Sequence, residues 1–213
     1  MQRLGVLGGI FDPVHCGHLR LAVEVREQLG LSAVRLIPCG NPPHRAPPKA
    51  ASELRLRMLH GATQGDDRLV IDDREMRRAG PSYTLDTLQS LRADFPEHAL
   101  CLLLGMDALA GLPQWHRWQE ILGLAHLAVG RRPGKDLPDS GPVADLLSRR
   151  QAESGDNMAD APAGTVLVCD IPGLDISSTQ VRQRCASRRS VRYLLPDSVA
   201  TIIDEEGLYR DDE

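Results

Sequence analysis

The segment that joins the first predicted strand to the first predicted helix reads GGIFDPVHCGH over residues 8–18. It follows an apolar run, Arg3–Gly9, that predicts a buried strand, and it precedes Leu19–Leu29, where polar residues recur at helical spacing. Gly8 and Gly9 allow the backbone to approach a ligand closely, and the free N–H groups at a helix entrance favour an anion. The segment therefore predicts a strand, a phosphate-binding turn and a helix.

The same alternation of apolar runs and helical patterns continues along the chain. It predicts an α/β fold: a doubly wound, Rossmann-like parallel sheet with helices on both faces and a small C-terminal helical part. The further predicted strands are Ala33–Pro38, Leu69–Asp72, Ala99–Leu104, Leu127–Arg131 and Thr165–Asp170. The further predicted helices are Ser52–Thr63, Thr84–Phe95, Gln114–Leu122, Val143–Arg150, Ser177–Ala186 and a closing helix from Pro196 to Gly207.

The length of the chain allows one large domain or two small ones, and we interpret residues 1–213 as a single domain. Residues 133–164 are rich in Pro, Gly, Asp and Ser, and we interpret them as a variable insertion. Residues 177–213 are expected to form the C-terminal helical segment. Sheets of this class bind ligands beyond the carboxyl ends of their strands, so the loops after the strands are the expected site.

The composition limits the partners and the compartment. A net charge of −4 argues against nucleic acid or a membrane as the main partner. The five cysteines form no CxxC pair, which predicts reduced thiols in a cytoplasmic protein. No apolar run approaches the length of a membrane span, so neither a signal peptide nor a transmembrane helix is expected.

Two histidines, His15 and His18, lie within one turn of the predicted helix entrance. The turn is neither a Walker A loop nor a GxGxxG turn. A single histidine at this position is usually a cap or a core residue, but the combination HxGH after GxFDP favours a ligand site. A zinc site at His15, Cys16 and His18 is disfavoured, because the spacing is unsuited and no second ligand pair is present. No protein-bound metal is therefore expected.

Two further segments follow predicted strands. Residues 176–182 read ISSTQVR, and hydroxyl groups at a helix start could be simple capping residues. Gly105-Met106-Asp107 follows the most apolar strand. Asp107 could accept hydrogen bonds from ribose hydroxyl groups, or it could cap the next helix.

These segments resemble two motifs of the nucleotidylyltransferase superfamily, GxFDPxHxGH at residues 9–18 and ISSTxxR at residues 176–182. The resemblance implies that His15, His18 and Arg182 are catalytic and stabilise the phosphates during nucleotidyl transfer. It implies ATP as a substrate, with Mg²⁺ held mainly by the ATP phosphates. The implied ATP-binding residues are Gly8, Gly9, Ile10, Phe11, His15, His18, Gly105, Asp107, Ile176, Ser177, Ser178, Thr179 and Arg182.

Three loops are expected to bind the second substrate. Residues 41–45, NPPHR, form a stiff loop with donors for a phosphate. Residues 81–84 and 112–116 each precede a predicted helix and carry an aromatic side chain. Trp115 could stack on a flat ring, and amides near Thr84 and His116 could bind its carboxylate. A core role for Trp115 and Tyr83 is the alternative.

Nearly end to end, the chain resembles bacterial nicotinate-nucleotide adenylyltransferases, through residues 42–45, 81–84, 105–107, 131–134 and 207–210 and Trp115. The family commonly has tyrosine where this chain has His116. The resemblance implies transfer of AMP from ATP to the 5′-phosphate of nicotinate mononucleotide, giving nicotinate adenine dinucleotide and pyrophosphate in NAD biosynthesis. The implied acceptor-binding residues are Asp12, Asn41, His44, Arg45, Tyr83, Thr84, Trp115, His116 and Arg132.

Other functions are weighed against this one. Nicotinamide mononucleotide or another phosphorylated acceptor remains the alternative substrate, although the chain length and His15 disfavour phosphopantetheine. A non-catalytic nucleotide-binding regulator is disfavoured because His15, His18 and Arg182 are all present. A tRNA-charging enzyme would need a longer chain and a basic surface. The sequence leaves a homo-oligomer open.

Overall fold

The computed structural model describes residues 1–43, 46–155 and 161–210 and contains a seven-stranded parallel sheet of order β3-β2-β1-β4-β5-β7-β6. From β1 the chain proceeds outward to β2 and β3, and it then returns to β4 on the other side of β1. The switch point between β1 and β4 is where such sheets bind ligands. The strands are β1 Arg3–Gly9, β2 Ala33–Pro38, β3 Leu69–Ile71, β4 Ala99–Gly105, β5 His126–Arg131, β6 Gln151–Ala152 and β7 Val166–Asp170.

Helices cover both faces of the sheet, which confirms the predicted doubly wound fold. Side chains alternate along each strand, so that Leu7 packs into one core cluster and Val6 into the other. Helices α1, α2, α7 and α8 pack into the first cluster, and α4, α5 and α6 into the second. The helices are α1 Cys16–Leu29, α2 Ser52–Thr63, α3 Arg74–Arg77, α4 Thr84–Asp94, α5 Met106–Gly111, α6 Gly141–Arg150, α7 Ser178–Ala186 and α8 Asp197–Glu205.

One predicted helix, Gln114–Leu122, is wrong. The chain instead forms two 3₁₀ helices, Leu112–Gln114 and Trp118–Gly123. They are separated because Trp115 is extended and Arg117 has a left-handed φ of 50°. Neither conformation continues an α-helix. The short helices α3 and α5 were not predicted, since four and six residues are too few to establish a helical period.

The predicted insertion is attached to the sheet through its described residues. Helix α6 buries Val143 and Leu147 in the second cluster, and β6 pairs with β7. The fully buried His126 accepts a hydrogen bond at Nδ1 from the Thr165 N–H (3.2 Å), so Nε2 carries the proton and donates to the Ala161 carbonyl (3.0 Å). This imidazole joins β5 to the end of the insertion.

Within residues 1–43, 46–155 and 161–210, no helix has the length and apolar character needed to cross a membrane.

Candidate active site

The turn after β1 folds back on itself. Phe11 is buried and has a left-handed φ of 52°. Its ring lies over Gly9, where a Cβ would be 3.0 Å from Phe11 Cζ. The edge of the same ring meets His18, with ring centroids 5.0 Å apart. The absence of a side chain at Gly9 therefore leaves room for the Phe11 ring to pack against His18.

The two predicted catalytic histidines stack on each other. The ring centroids of His15 and His18 are 3.7 Å apart, and the ring planes are inclined by 27°. His15 is the N-cap of α1, and its backbone N–H donates to His18 Nδ1 at 3.3 Å. Neutral His18 therefore carries its proton on Nε2. The buried Nδ1 of His15 has no hydrogen-bond partner within the described part of the protein.

Burial keeps both imidazoles neutral. Desolvation, and then the nearby Arg132 charge, lowers the pKa of His15 to about 4. Desolvation, and then His15, lowers the pKa of His18 well below its usual value. At neutral pH both rings are hydrogen-bond donors without a fixed charge. A bound polyphosphate would favour the protonated forms, because an adjacent anion raises the pKa of a histidine.

These shifts predict a loss of stability in mild acid. Folding lowers the pKa of His15, His18 and His126, mainly through desolvation, so below pH 6.5 the unfolded chain binds more protons than the folded protein. We expect the free energy of unfolding to fall as pH decreases from 6.5 to 4, by about 3 kcal/mol from His15 alone. Urea unfolding at pH 7.5, 6, 5 and 4 measures it, and a constant value over this range would contradict the prediction.

The second motif packs directly on the first. Ser177 caps α7 by accepting the Gln180 N–H at 3.1 Å. Ser178 Oγ donates to the Pro13 carbonyl at 2.9 Å. Arg182 donates from Nη1 to the Asp12 carbonyl at 2.7 Å and from Nη2 to Thr179 Oγ1 at 3.2 Å. The entrances of α1 and α7 therefore form one site.

The remaining predicted ATP residues lie at the same edge of the sheet. Gly105 ends β4, beside β1, and is the N-cap of α5. Asp107 lies exposed in the first turn of α5 and does not cap that helix. Gly8 is exposed at the end of β1, and no atom of the described residues lies within 4 Å of a Cβ built there. Ile176 packs against the first core cluster immediately before α7.

Three of the predicted acceptor segments meet beside this site. The N–H groups of Gly40 and Asn41 donate to Ser82 Oγ at 3.2 and 3.1 Å, and the Ser82 N–H donates to the Asn41 carbonyl at 2.8 Å. The rings of Tyr83 and His116 stack with centroids 4.3 Å apart. Thr84 is the first residue of α4.

Four predicted acceptor residues either differ in placement from the expectation or lie outside the described residues. Trp115 is partly buried against the second core cluster, as the alternative core role requires. The segment of His116 leads into a 3₁₀ helix, not into the α-helix expected from the sequence. His44 and Arg45 lie outside the described residues.

Arg132 directly follows β5, and its charge lies close enough to His15 to lower the pKa of that histidine. Its Nη1 donates to Asp175 at 2.8 Å, and its stem crosses Gly173, where a Cβ would be 2.2 Å from Arg132 Cγ. Beside it is an open cleft of about 420 Å³. The cleft is lined by Arg131, Pro133, Asp170, Ile171 and Pro172.

Asp12 was predicted to bind the acceptor, but the structure places its carboxylate in the interior. The side chain is only 4% exposed. It accepts hydrogen bonds from the N–H groups of Lys49 (2.7 Å) and Ala50 (3.1 Å) and from the Tyr209 hydroxyl (2.7 Å). Asp12 thus joins the first motif to the start of α2 and to the C-terminal segment.

Arg55 is a site residue that the sequence reasoning missed. It is 1% exposed and donates from Nη1 to the carbonyl groups of Ile10 (2.7 Å) and Cys39 (2.8 Å). One buried guanidinium therefore connects the loops after β1 and β2. The sequence did contain a signal for this role. Arg55 lies three and four residues before Met58 and Leu59, on the buried face of α2, where an apolar residue is expected.

Across residues 1–43, 46–155 and 161–210, no three His, Cys, Asp or Glu side chains are grouped to hold a metal ion. The donors at the site are hydroxyl, amide, imidazole and guanidinium groups, which suit phosphate oxygens.

Known proteins similar to this chain are nucleotidyltransferases. The cytidylyltransferase-like family matches residues 6–184. A protein of Aeromonas hydrophila subsp. hydrophila named "Probable nicotinate-nucleotide adenylyltransferase" is 47% identical over 207 residues, covering 97% of each chain. A protein of the same name from Pseudomonas syringae pv. tomato is 48% identical over 210 residues, covering 98% of this chain and 94% of its own.

Among solved structures, the Plasmodium falciparum nicotinic acid mononucleotide adenylyltransferase complexed with NaAD superposes with a TM-score of 0.75 over 98% of both chains. At 14% identity this likeness demonstrates the shared fold.

Proposed function

Because the chain belongs to the cytidylyltransferase-like family, and within it to the nicotinate-nucleotide adenylyltransferases, we propose that it transfers AMP from ATP to nicotinate mononucleotide. The products are nicotinate adenine dinucleotide and pyrophosphate, in the biosynthesis of NAD. The observation that carries the proposal is the convergence of the two motifs, in which Arg182 and Ser178 bond the backbone of Asp12 and Pro13, three and two residues before His15.

The triphosphate of ATP binds at the joined entrances of α1 and α7. Free helix N–H groups, the hydroxyls of Ser177 and Thr179, and Arg182 receive the β- and γ-phosphates, while the Ser178 hydroxyl holds the Pro13 carbonyl. His15 and His18 face the α-phosphate. The adenine base occupies the cleft at the ends of β5 and β7, and Asp107 receives the ribose. The ATP phosphates would hold Mg²⁺, which would neutralise part of their charge.

The acceptor is held by residues 41–45, Tyr83, Thr84, Trp115, His116 and Arg132. Its 5′-phosphate attacks the α-phosphorus in line, and pyrophosphate leaves. The attacking phosphate is already an anion at neutral pH, so the reaction requires no strong general base. Catalysis then consists of positioning the two phosphates and stabilising the charge that accumulates between them. Asp12 contributes through its backbone and its internal hydrogen bonds.

Acceptor choice is the direct test of this function. The nicotinate carboxylate meets N–H donors at the entrance of α4, and a neutral amide forgoes these charge-assisted bonds. We therefore expect kcat/KM for nicotinate mononucleotide to exceed that for nicotinamide mononucleotide by about 10- to 100-fold. Pyrophosphate release is measured with ATP and each mononucleotide, and with ATP alone as the control. A preference for the amide would overturn the acceptor assignment, and no release with either would overturn the enzymatic function.

A further inference from the structure

The segment after α8 returns the chain to the interior. Gly207 and Tyr209 have left-handed φ values of 61° and 62°, and the Leu208 N–H donates to the Ile203 carbonyl at 2.9 Å. Leu208 packs against the first core cluster, and Tyr209 is only 8% exposed. Two left-handed residues within three positions make a tight reversal that directs the Tyr209 ring inward.

The Tyr209 hydroxyl contacts the first motif, GxFDPxHxGH. It donates to Asp12 Oδ1 at 2.7 Å, across 197 residues of sequence. Within the described residues, the Asp12 carboxylate accepts three hydrogen bonds. Two come from the backbone N–H groups of Lys49 and Ala50, and the Tyr209 hydroxyl is the side-chain donor. Burial, and then the bond to Asp12, raises the pKa of Tyr209 above its usual value. The hydroxyl therefore remains a donor throughout the neutral range.

Asp12 transmits this contact to the residues that bind the triphosphate. Its own carbonyl oxygen accepts the Arg182 bond, and the next carbonyl, on Pro13, accepts Ser178. His15 follows two residues later. A change in the orientation of Asp12 therefore displaces both the guanidinium and the histidine pair, although Tyr209 lies outside the phosphate-binding turns.

We propose that Tyr209 is a positioning residue, whose hydroxyl fixes Asp12 and thereby sets the geometry of Arg182 and His15 for phosphate transfer. The proposal rests on the function given above. It assigns a role to the C-terminal GLYR segment beyond packing. A packing role alone would need the ring, whereas the positioning role needs the hydroxyl.

The test is Tyr209→Phe, which retains the ring and removes the hydroxyl. We expect kcat to fall about tenfold at 25 °C, the equivalent of one hydrogen bond to a charged group. Tyr193→Phe is the chemical control, because Tyr193 is 81% exposed. Ile203→Val is the stability control, because it removes one buried methylene from α8 without touching Asp12. Both controls should retain kcat within about twofold of the unmodified protein.

Amide exchange provides a readout that does not depend on activity. Loss of the hydroxyl frees the carboxylate, so exchange at Lys49 and Ala50 should accelerate in Tyr209→Phe and not in either control. Unchanged kcat in Tyr209→Phe, unchanged exchange at Lys49 and Ala50 in that variant, or an equal loss of kcat in Ile203→Val would each overturn the inference. If the unmodified protein releases no pyrophosphate with any mononucleotide, the proposed function fails, and the exchange data still decide whether Tyr209 fixes Asp12.

Discussion

Replacing His18 with alanine is expected to lower kcat for pyrophosphate release by about 10²–10³-fold. His18 is held by the ring edge of Phe11, by the stacked ring of His15 and by the backbone N–H that bonds Nδ1. Its proton is therefore on Nε2, as a donor that is already oriented before ATP binds. A donor oriented in advance stabilises developing charge without reorganisation, which is why its loss affects kcat strongly.

The control for this variant is His60→Ala, since His60 is exposed on α2. We expect His18→Ala to retain the thermal midpoint within a few degrees and His60→Ala to retain both midpoint and kcat. His18→Gln, which keeps a side-chain N–H, should have an intermediate kcat. If His18→Ala kept more than a third of the original kcat with a normal midpoint, the catalytic role of His18 would be wrong.

Replacing Arg182 with alanine is expected to lower kcat/KM for ATP by about 10²–10³-fold. The guanidinium supplies the positive charge at the α7 entrance, and it also holds the Asp12 carbonyl. Arg182→Lys keeps the charge, but its donors all lie on one nitrogen atom, so it lacks the two separate nitrogens with which the guanidinium bonds Asp12 and Thr179. The lysine variant should recover only part of the lost activity.

Arg189→Ala is the matched control, because Arg189 is an exposed arginine just beyond the same helix. Its kcat/KM for ATP should be unchanged. Full activity in Arg182→Lys would show that charge alone is required, and equal losses in Arg182→Ala and Arg189→Ala would show a general effect of net charge. Either result would contradict the specific contact with Asp12.

Much of the fold was predictable because its signals are local. Apolar runs and helical spacing identified β2 and α2 with their observed ends, and the strand alternation identified the parallel sheet. The errors occurred where local patterns are weak. The 112–123 segment forms two 3₁₀ helices because Arg117 adopts a left-handed conformation, which its side chain does not reveal.

The sequence by itself determined which residues are proposed to carry the phosphate chemistry, because the GxFDPxHxGH and ISSTxxR segments combine residue type with a strand-to-helix position. Only the tertiary structure decided how they are held. The inward Asp12 carboxylate, the buried Arg55 between two loops and the Tyr209 bond each join residues that are far apart in the chain. Such contacts depend on the packing of several elements at once, and no periodicity or local propensity encodes which donor a buried acceptor will meet.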